Sequence, residues 1–268
     1  MALLETTGLS VTFGGLRAVD DVSITIESGK LVGLIGPNGA GKTTFIDAIT
    51  GFVPSKGQVL FDGQDLAGLE AHQRARAGLV RTWQSLELFD DLTVAENLRV
   101  AAEPSSAKGF VLDLFAPNRN KRVDSVDEAL HRLDLTDLAD RTPTELSQGQ
   151  RKLIGVARAL AARPKLVLMD EPAAGLDTAE SQELGKRLRG IVGDGGTIFM
   201  IDHDMGLVLT VCDYIYVIEF GRLIAQGTPA EIRTNERVIT AYLGEQARKD
   251  VEDAKAALAA VPLDVEPS

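Results

Sequence analysis

The chain has 268 residues, of which 44% are hydrophobic and 25% charged, so it can bury a large core and is not globally disordered. Its formal net charge of −11 argues against a nucleic-acid partner bound through broad neutralisation of phosphates. The single cysteine, Cys212, excludes an intramolecular disulfide framework. No segment approaches the ~18 consecutive apolar residues of a membrane span, and Met1–Ser10 lacks the pattern of a signal peptide. We therefore expect a cytoplasmic protein that meets a membrane only through a partner.

Three segments near the N-terminus alternate apolar with polar residues. They are Leu9–Phe13, Val22–Ile26 and Gln58–Phe61, and the last is followed by Asp62-Gly63, a sequence typical of a two-residue hairpin turn. Because alternation places the apolar side chains on one face of a strand, we predict a small antiparallel sheet beside the core.

A continuous apolar run, Leu31–Ile35, precedes a glycine-rich segment, Gly36–Thr43, which fits the pattern G-x-x-x-x-G-K-[ST] and is called the phosphate loop below. A helical run, Thr43–Thr50, follows it, so strand, loop and helix stand in the order that phosphate binding requires. The glycines let backbone N–H groups converge on phosphate oxygens, and the helix N-terminus adds the positive end of its dipole. Lys42 can then bridge the β- and γ-phosphates, and Thr43 can hold Mg²⁺. The loop by itself leaves kinases, GTPases and transport ATPases open.

Between about Thr93 and Arg163 the β-branched runs disappear and helical spacing replaces them. The predicted helices are Thr93–Ala102, Val126–Leu133 and Gln148–Ala162, with a connecting loop at Pro104–Asn120. We interpret this region, from about residue 85 to about residue 163, as a helical insertion.

The last predicted helix follows the segment Leu146–Gln150, with the sequence L-S-Q-G-Q, which is called the signature below. Ser147 and Gln150, three residues apart, form a capping-box pattern. Taken alone, the signature is equally well explained as a capped helix start and as a binding element.

The apolar run Leu166–Met169 leads directly into Asp170 and Glu171. This pattern is typical of a buried strand whose carboxyl end opens on a ligand crevice. Neighbouring residues at a strand end point in different directions, so Asp170 can contact Mg²⁺ while Glu171 orients or deprotonates the attacking water. Acids after a strand are also ordinary loop residues, and only the phosphate loop favours the functional interpretation.

Two further apolar runs, Thr197–Ile201 and Tyr214–Ile218, complete the pattern of an α/β fold with buried, largely parallel strands. After Gly244 the chain is rich in alanine and acid and then in proline, which predicts a frayed helix followed by disorder. The expected organisation is one domain over residues 1–245 and an acidic tail over 246–268.

The phosphate loop, the signature and the apolar Asp-Glu strand, in this order, resemble the ATP-binding subunits of ABC transporters over nearly the whole chain up to about Gly244. The resemblance implies an α/β fold: a P-loop NTPase core with a mostly parallel sheet, an N-terminal antiparallel β subdomain and an inserted helical subdomain. It also implies hydrolysis of ATP with Mg²⁺. In that family ATP lies between two subunits, so Ser147, Gly149 and Gln150 of one chain would act on the nucleotide bound by the other.

The resemblance assigns roles to further residues that match the family's motifs. Phe13 matches the aromatic residue that stacks on adenine, Gln84 the glutamine that senses Mg²⁺ and the attacking water, and His203 the histidine that holds the γ-phosphate. Asp177 ends the segment Ala174–Asp177, which matches a loop that crosses the dimer interface and is called the interface loop below. The nucleotide-binding set is completed by Gly36, Pro37, Asn38, Gly39, Ala40, Gly41, Lys42, Thr43 and Thr44.

Several short motifs resemble the branched-chain amino-acid uptake group within the family. They are Phe13–Leu16, Arg81–Gln84, Leu88–Phe89, Leu92–Val94, Glu96–Leu98, His203–Met205 and Tyr242–Gly244. The resemblance implies integral membrane permease subunits, a second ATP-binding subunit and an extracytoplasmic solute-binding protein as partners, a place on the inner face of the cell membrane, and no nucleic acid. The chain departs from that group at three positions. Trp83 stands where Phe is usual, Gln148 where Gly or Tyr is usual, and Asp202 where Glu is usual.

Two other classes of protein share part of this pattern. A soluble ABC-type ATPase of DNA repair or chromosome organisation carries long heptad-bearing helices, and no such segment fits between Lys42 and Asp170. A non-transport ABC-type ATPase in a cytoplasmic assembly shares every motif, so only the partner separates it from a transporter.

Apolar residues around Gln84 predict a docking groove. Trp83, Leu86, Leu88 and Phe89 stand among polar residues. We therefore expect some of them to be exposed in a groove that receives a cytoplasmic helix of a permease.

Overall fold

The computed structural model describes residues 1–82, 88–102 and 119–242. The predictions made for Trp83, Gln84 and Leu86, and for the tail over 246–268, lie outside these residues. Within the described ranges, no helix combines the length and the apolar character needed to cross a membrane.

The helices and strands alternate along most of the chain. The strands are β1 (Ala2–Phe13), β2 (Leu16–Glu27), β3 (Leu31–Ile35), β4 (Lys56–Phe61), β5 (Gln64–Asp65), β6 (Leu79–Thr82), β7 (Leu166–Asp170), β8 (Ile198–Ile201), β9 (Tyr214–Glu219) and β10 (Arg222–Gly227). The helices are α1 (Lys42–Thr50), α2 (Ala71–Arg76), α3 (Val94–Ala102), α4 (Arg119–Arg132), α5 (Gln148–Ala161), α6 (Thr178–Gly193), α7 (Met205–Val211) and α8 (Pro229–Arg233), with 3₁₀ turns at Thr136–Leu138 and Pro143–Glu145. Residues 236–242 are also helical.

The N-terminal strands form the predicted antiparallel sheet, in the order β2-β1-β4-β5. β1 and β2 extend well beyond the predicted segments, and bulges interrupt their pairing, for example between Thr6 and Leu9. Gly14 and Gly15, with φ of +49° and +96°, turn the chain between Phe13 and Leu16. Such values occur in the tight turns that suit the twist of a hairpin. The predicted turn at residues 62–63 joins β4 to β5.

The second sheet has six strands in the order β10-β9-β3-β8-β7-β6. The strands from β9 to β6 run parallel, and β10 pairs antiparallel with β9. All four apolar runs predicted as buried strands lie in this sheet, which confirms the α/β fold class. The sequence pattern does not predict β6 and β10, which are the two edge strands.

The parallel strands are buried on both faces, and alternate residues reach different cores. In β3, Leu31 and Ile35 pack in a core with helices α3 to α8, whereas Val32 and Leu34 pack in a core with α1 and the antiparallel sheet. Burial on both faces explains why such strands have continuous apolar sequences.

Helices α3 to α5 lie between β6 and β7 in the chain and pack on one another, as a helical insertion requires. α4 begins at Arg119, seven residues before the predicted start at Val126. The predicted loop Pro104–Asn120 is therefore wrong for its last two residues, and residues 104–118 lie outside the described part of the chain. The early turn of α4 is polar, so apolar periodicity does not reveal it.

Candidate active site

Three neighbouring parallel strands carry the predicted chemistry at one edge of the sheet. β3 leads into the phosphate loop, β7 ends at Asp170, and β8 ends at Ile201, two residues before His203. β8 lies between β3 and β7. Because the carboxyl ends of parallel strands meet at one edge, the structure brings the phosphate loop, the two acids and the histidine together.

Backbone contacts from both sheets hold the phosphate loop. A Cβ on Gly41 would lie 2.2 Å from the carbonyl oxygen of Ala18 in β2, and its φ is +99°, so only glycine fits there. The Ala40 N–H donates to the carbonyl of Pro37 at 3.1 Å, and the Ala40 carbonyl accepts from the N–H of Gly221 at 2.9 Å. Gly221 lies in the turn between β9 and β10. The loop therefore keeps its shape through main-chain contacts on two sides.

Lys42 and Thr43 begin α1 beside this loop. Lys42 is 7% exposed, and its ammonium donates to the carbonyl oxygens of Gly36 at 2.6 Å and Pro37 at 3.0 Å, so it lies over the loop. Thr43 is exposed and Thr44 half-buried. The N-cap residue of α1 is Gly41, which has no side chain that could cap the helix. Its first N–H groups are therefore directed at the place where an anion would bind.

The two acids take different directions at the end of β7. Asp170 is 5% exposed and is the last residue of the strand. Glu171 has a φ of +50°, and its N–H donates to the carbonyl of Ile201 at 2.8 Å. This left-handed conformation costs a non-glycine residue about 1–2 kcal/mol. It turns the chain out of the strand, and the two carboxylates have different neighbours: that of Asp170 pairs with Arg81, and that of Glu171 lies 3.7 Å from His203.

His203 lies close to Glu171. Its Nδ1 is 3.7 Å from Oε2 of Glu171 and 3.6 Å from Oδ1 of Asp202, and its side chain is mostly exposed. Asp202 is fully buried, and its carboxylate accepts from the N–H of Ala173 at 3.2 Å and of Asp204 at 3.0 Å. The buried carboxylate thus ties the loop after Glu171 to the loop that carries His203.

A lysine of the signature helix lies near these acids. Lys152 in α5 is 8% exposed. Burial lowers the pKa of its ammonium, and the carboxylates of Asp202 and Glu171 oppose that shift. A lysine on the helix that follows the signature therefore interacts electrostatically with two acids at the carboxyl ends of the strands, which the sequence alone does not predict.

The signature forms the predicted capped helix start. Ser147 Oγ accepts from the N–H of Gln150 at 3.2 Å, and Oε1 of Gln150 accepts from the N–H of Ser147 at 3.0 Å. A Cβ on Gly175 would lie 2.6 Å from Nε2 of Gln148, so the signature lies beside the interface loop of the same chain. Asp177, at the end of that loop, caps α6 by accepting from the N–H of Glu180 at 2.8 Å.

Phe13 and Phe89 are both exposed, each by 47%. Phe13 ends β1 in a hairpin with β2, and β2 carries Ala18, whose carbonyl oxygen approaches Gly41. Phe89 lies with its ring centroid 6.0 Å from the guanidinium carbon of Arg158. Leu88 is half-buried against the core.

The donors predicted for Mg²⁺ fit that ion. Thr43 and Asp170 offer a hydroxyl and a carboxylate oxygen, and Mg²⁺ in nucleotide sites takes one or two protein oxygens together with phosphates and water. In the described part of the chain, no group of three or more His, Cys, Asp or Glu residues could hold a metal ion. Two such protein donors suit a metal whose remaining positions are filled by phosphates and water.

Sequence reasoning missed a buried arginine at this edge. Nη2 of Arg81, in β6, donates to Oδ2 of Asp170 at 2.9 Å, and its Nη1 pairs with Asp47 in α1. The sequence offers no signal for this contact, because Arg81 is separated from Asp170 by 89 residues and from Asp47 by 34.

Comparisons with known proteins identify relatives of the chain. The profile of the family described as ABC transporter matches residues 19–174, and that of the branched-chain amino acid ATP-binding cassette transporter matches residues 222–248. The high-affinity branched-chain amino acid transport ATP-binding protein BraF of Pseudomonas aeruginosa is 41% identical over 251 residues, covering 91% of this chain and 98% of BraF. The lipopolysaccharide export system ATP-binding protein LptB of Escherichia coli is 38% identical over 249 residues, covering 92% and 100%.

A solved structure extends the similarity to the fold. The ADP conformation of MJ1267, an ATP-binding cassette of an ABC transporter, matches with a TM-score of 0.80 and 32% identity, covering 91% of this chain and 99% of that one. The sequence matches and the fold point to the same kind of protein as the phosphate loop and the acids at the end of β7. The chain belongs to the ABC transporter family and is one of its ATP-binding, ATP-hydrolysing subunits.

Proposed function

We propose that this subunit energises a membrane importer for branched-chain or other hydrophobic amino acids or related small solutes. The observation that carries the proposal is the 41% identity to BraF over nearly the full length of both chains. The match of residues 222–248 to the branched-chain cassette family favours this cargo over the lipopolysaccharide handled by LptB, which is 38% identical.

In the proposed mechanism, the phosphates of ATP lie along the phosphate loop with Lys42 between the β- and γ-phosphates, and Phe13 stacks on adenine. Thr43 and Asp170 would hold Mg²⁺, which when bound neutralises charge that develops on the phosphates. Glu171 orients the attacking water and accepts its proton, and His203 holds the γ-phosphate. Gln84, outside the described residues, keeps its predicted role as a sensor of the metal and the water.

The proposed assembly contains two ATP-binding subunits, integral membrane permease subunits and an extracytoplasmic solute-binding protein. In it the chain lies on the inner face of the cell membrane.

We also propose an ATPase domain over residues 1–245, with a helical subdomain at about 85–163, and a tail over 246–268. Ser147, Gly149, Gln150 and Asp177 face the partner subunit's nucleotide in this proposal. The exposed start of α5, next to the interface loop, supports it.

The chemical role of Glu171 is tested by Glu171→Gln. This variant is expected to bind ATP as the wild type does but to hydrolyse it at least about 10²-fold more slowly, because a positioned general base typically contributes that much. The measurements are ATP binding by calorimetry and phosphate release. The matched control is Glu236→Gln, an exposed acid in the helical segment 236–242, which should leave both unchanged. Wild-type turnover in Glu171→Gln would contradict the assignment.

The cargo is tested in cells of the source organism. Uptake of labelled leucine, isoleucine and valine is compared in cells with the wild-type gene, without it, and with the Glu171→Gln or Glu236→Gln variant. We expect uptake to be lost in the deletion and in Glu171→Gln only. Unchanged uptake in all strains would refute the amino-acid cargo and leave the ATPase assignment intact. Purification of the tagged chain from membranes, without accompanying multi-span proteins, would instead favour a non-transport assembly.

A further inference from the structure

Arg81 joins two carboxylates from distant parts of the chain. Its Nη2 donates to Oδ2 of Asp170 at 2.9 Å, and its Nη1 forms a hydrogen-bonded ion pair with Oδ1 of Asp47. The side chains of Arg81 and Asp170 are 6% and 5% exposed, and that of Asp47 is 25% exposed. We call these three residues the ion triad. Through it, one guanidinium links β6, β7 and the helix that follows the phosphate loop.

The ion triad connects the two donors proposed for Mg²⁺. Asp47 follows Thr43 by four residues in α1, and residues four apart share one face of an α-helix. α1 therefore presents Thr43 and the carboxylate that holds Arg81 on the same side. A guanidinium is planar and rigid, so its two arms fix the angle between their partners. The position of Asp170 relative to Thr43 is thus set through Arg81 and Asp47.

Stability alone accounts poorly for this arrangement. Removing charges from water costs energy that roughly offsets their attraction, and a well-packed apolar cluster of the same volume is often as stable. A role at the metal site accounts for it better. Carboxylates that bind metals are commonly held by hydrogen bonds from neighbouring groups, and loss of those groups lowers metal affinity by about 10- to 100-fold.

We propose that Arg81 is a positioning residue that aligns Asp170 with Thr43 for the binding of a complex of Mg²⁺ and nucleotide. The proposal rests on the proposed role of Asp170 as a ligand of the metal. Arg81 donates one hydrogen bond to Oδ2 of that carboxylate, and a carboxylate has further lone pairs that can bind the ion. Two carboxylates and one guanidinium leave the ion triad with a formal charge of −1, which suits a cation.

The test measures how ATP binding depends on Mg²⁺ in the full chain carrying Glu171→Gln, which is expected to slow turnover during the measurement by about 10²-fold or more. Calorimetric titration with ATP at several Mg²⁺ concentrations, and in EDTA, separates metal-dependent from metal-independent binding. Arg81→Gln is expected to raise the Mg²⁺ concentration for the half-maximal effect by about tenfold or more. Its affinity for ATP in EDTA is expected to change by less than about threefold. Arg81→Lys should recover only part of the loss, because lysine restores the charge but not the planar fork.

The matched control is Arg187→Gln. Arg187 also bridges two carboxylates, those of Glu183 at 2.8 Å and Asp134 at 3.3 Å, but in α6 and the segment after α4. This variant should leave the dependence on Mg²⁺ unchanged. Asp47→Asn weakens one arm of the ion triad and should give a smaller shift in the same direction as Arg81→Gln. If circular dichroism finds Arg81→Gln unfolded, Arg81→Lys and Asp47→Asn carry the test.

Either of two changes in Arg81→Gln would overturn the role of Arg81. One is an equal loss of ATP affinity with Mg²⁺ and in EDTA, which would mark the ion triad as structural only. The other is tighter Mg²⁺ binding in Arg81→Gln, which would mean that the guanidinium opposes the metal. Asp170→Asn belongs in the same series. If Asp170→Asn leaves the Mg²⁺ dependence unchanged, the metal role of Asp170 itself is refuted. If Asp170→Asn shifts this dependence but Arg81→Gln does not, only the role of Arg81 is refuted.

Discussion

Two glycines of the phosphate loop allow steric contact to be separated from backbone strain. Both have positive φ, +99° at Gly41 and +77° at Gly39. A Cβ on Gly41 would lie 2.2 Å from the carbonyl oxygen of Ala18, whereas a Cβ on Gly39 would meet nothing within 4 Å. Alanine at either position therefore meets the same kind of strain, but only at position 41 does it also displace backbone.

The expected costs follow from this difference. Left-handed backbone costs an L-residue about 1–2 kcal/mol, which is the expected loss of unfolding free energy in Gly39→Ala. Overpacking adds about 1–3 kcal/mol, so Gly41→Ala should lose about 2–5 kcal/mol in total. The gain from restricting the unfolded chain is common to both variants and cancels in the comparison. Because Gly41 immediately precedes Lys42, its displacement should also weaken ATP binding by about tenfold or more.

The assay is urea denaturation of each variant without nucleotide, followed by circular dichroism, with ATP affinity measured separately by calorimetry. Equal losses of unfolding free energy in the two variants would refute the contact between Gly41 and Ala18 as the limiting factor. Wild-type stability and ATP affinity in Gly41→Ala would refute the geometry of the whole loop.

Two further predictions concern packing and assembly. Arg74 donates to four backbone carbonyl groups at the end of α1 and before α2, so Arg74→Met should lower the unfolding free energy by roughly 3 kcal/mol in urea denaturation. Arg237→Met, at an exposed position in the helical segment 236–242, should change it by less than about 0.5 kcal/mol, and equal effects would contradict the prediction. Mixing Lys42→Ala with Ser147→Arg chains should recover ATPase activity that neither shows, because a mixed dimer keeps one intact site. Absence of recovery, although mixed dimers form, would contradict a role of Ser147 in trans.

The sequence predicts elements best where burial is complete. β3, β7, β8 and β9 are each found within one residue of a predicted run, because strands buried on both faces must be apolar throughout. The prediction fails for the edge strands β6 and β10. Half of their residues or more are only partly buried, so these strands do not need a continuous apolar sequence. The predicted segment of β1 is also too short, because bulges interrupt the alternation of apolar and polar residues by which a strand is recognised.

The candidate site divides in a similar way. The phosphate loop, Asp170 with Glu171, and the capped signature are contiguous motifs, so their residue types and spacing can be recognised along the chain. Arg81 contacts an acid that is distant in the chain, and the charge of Lys152 is influenced by two such acids, Asp202 and Glu171. A charged residue within a strand or helix gives no indication in the sequence of which buried carboxylate it will meet.

Asp202 controls the spacing of the two reactive side chains. Its buried carboxylate holds the N–H groups of Ala173 and Asp204, which belong to the loops that carry Glu171 and His203. If one loop moved without the other, the buried carboxylate of Asp202 would lose one of these hydrogen bonds, which is costly. We therefore expect the two loops to move together. The Glu171 N–H donates to Ile201 in β8, which fixes the same loop to the sheet. The 3.7 Å approach of His203 to Glu171 therefore follows from a residue that contacts neither phosphate nor water in the proposed mechanism.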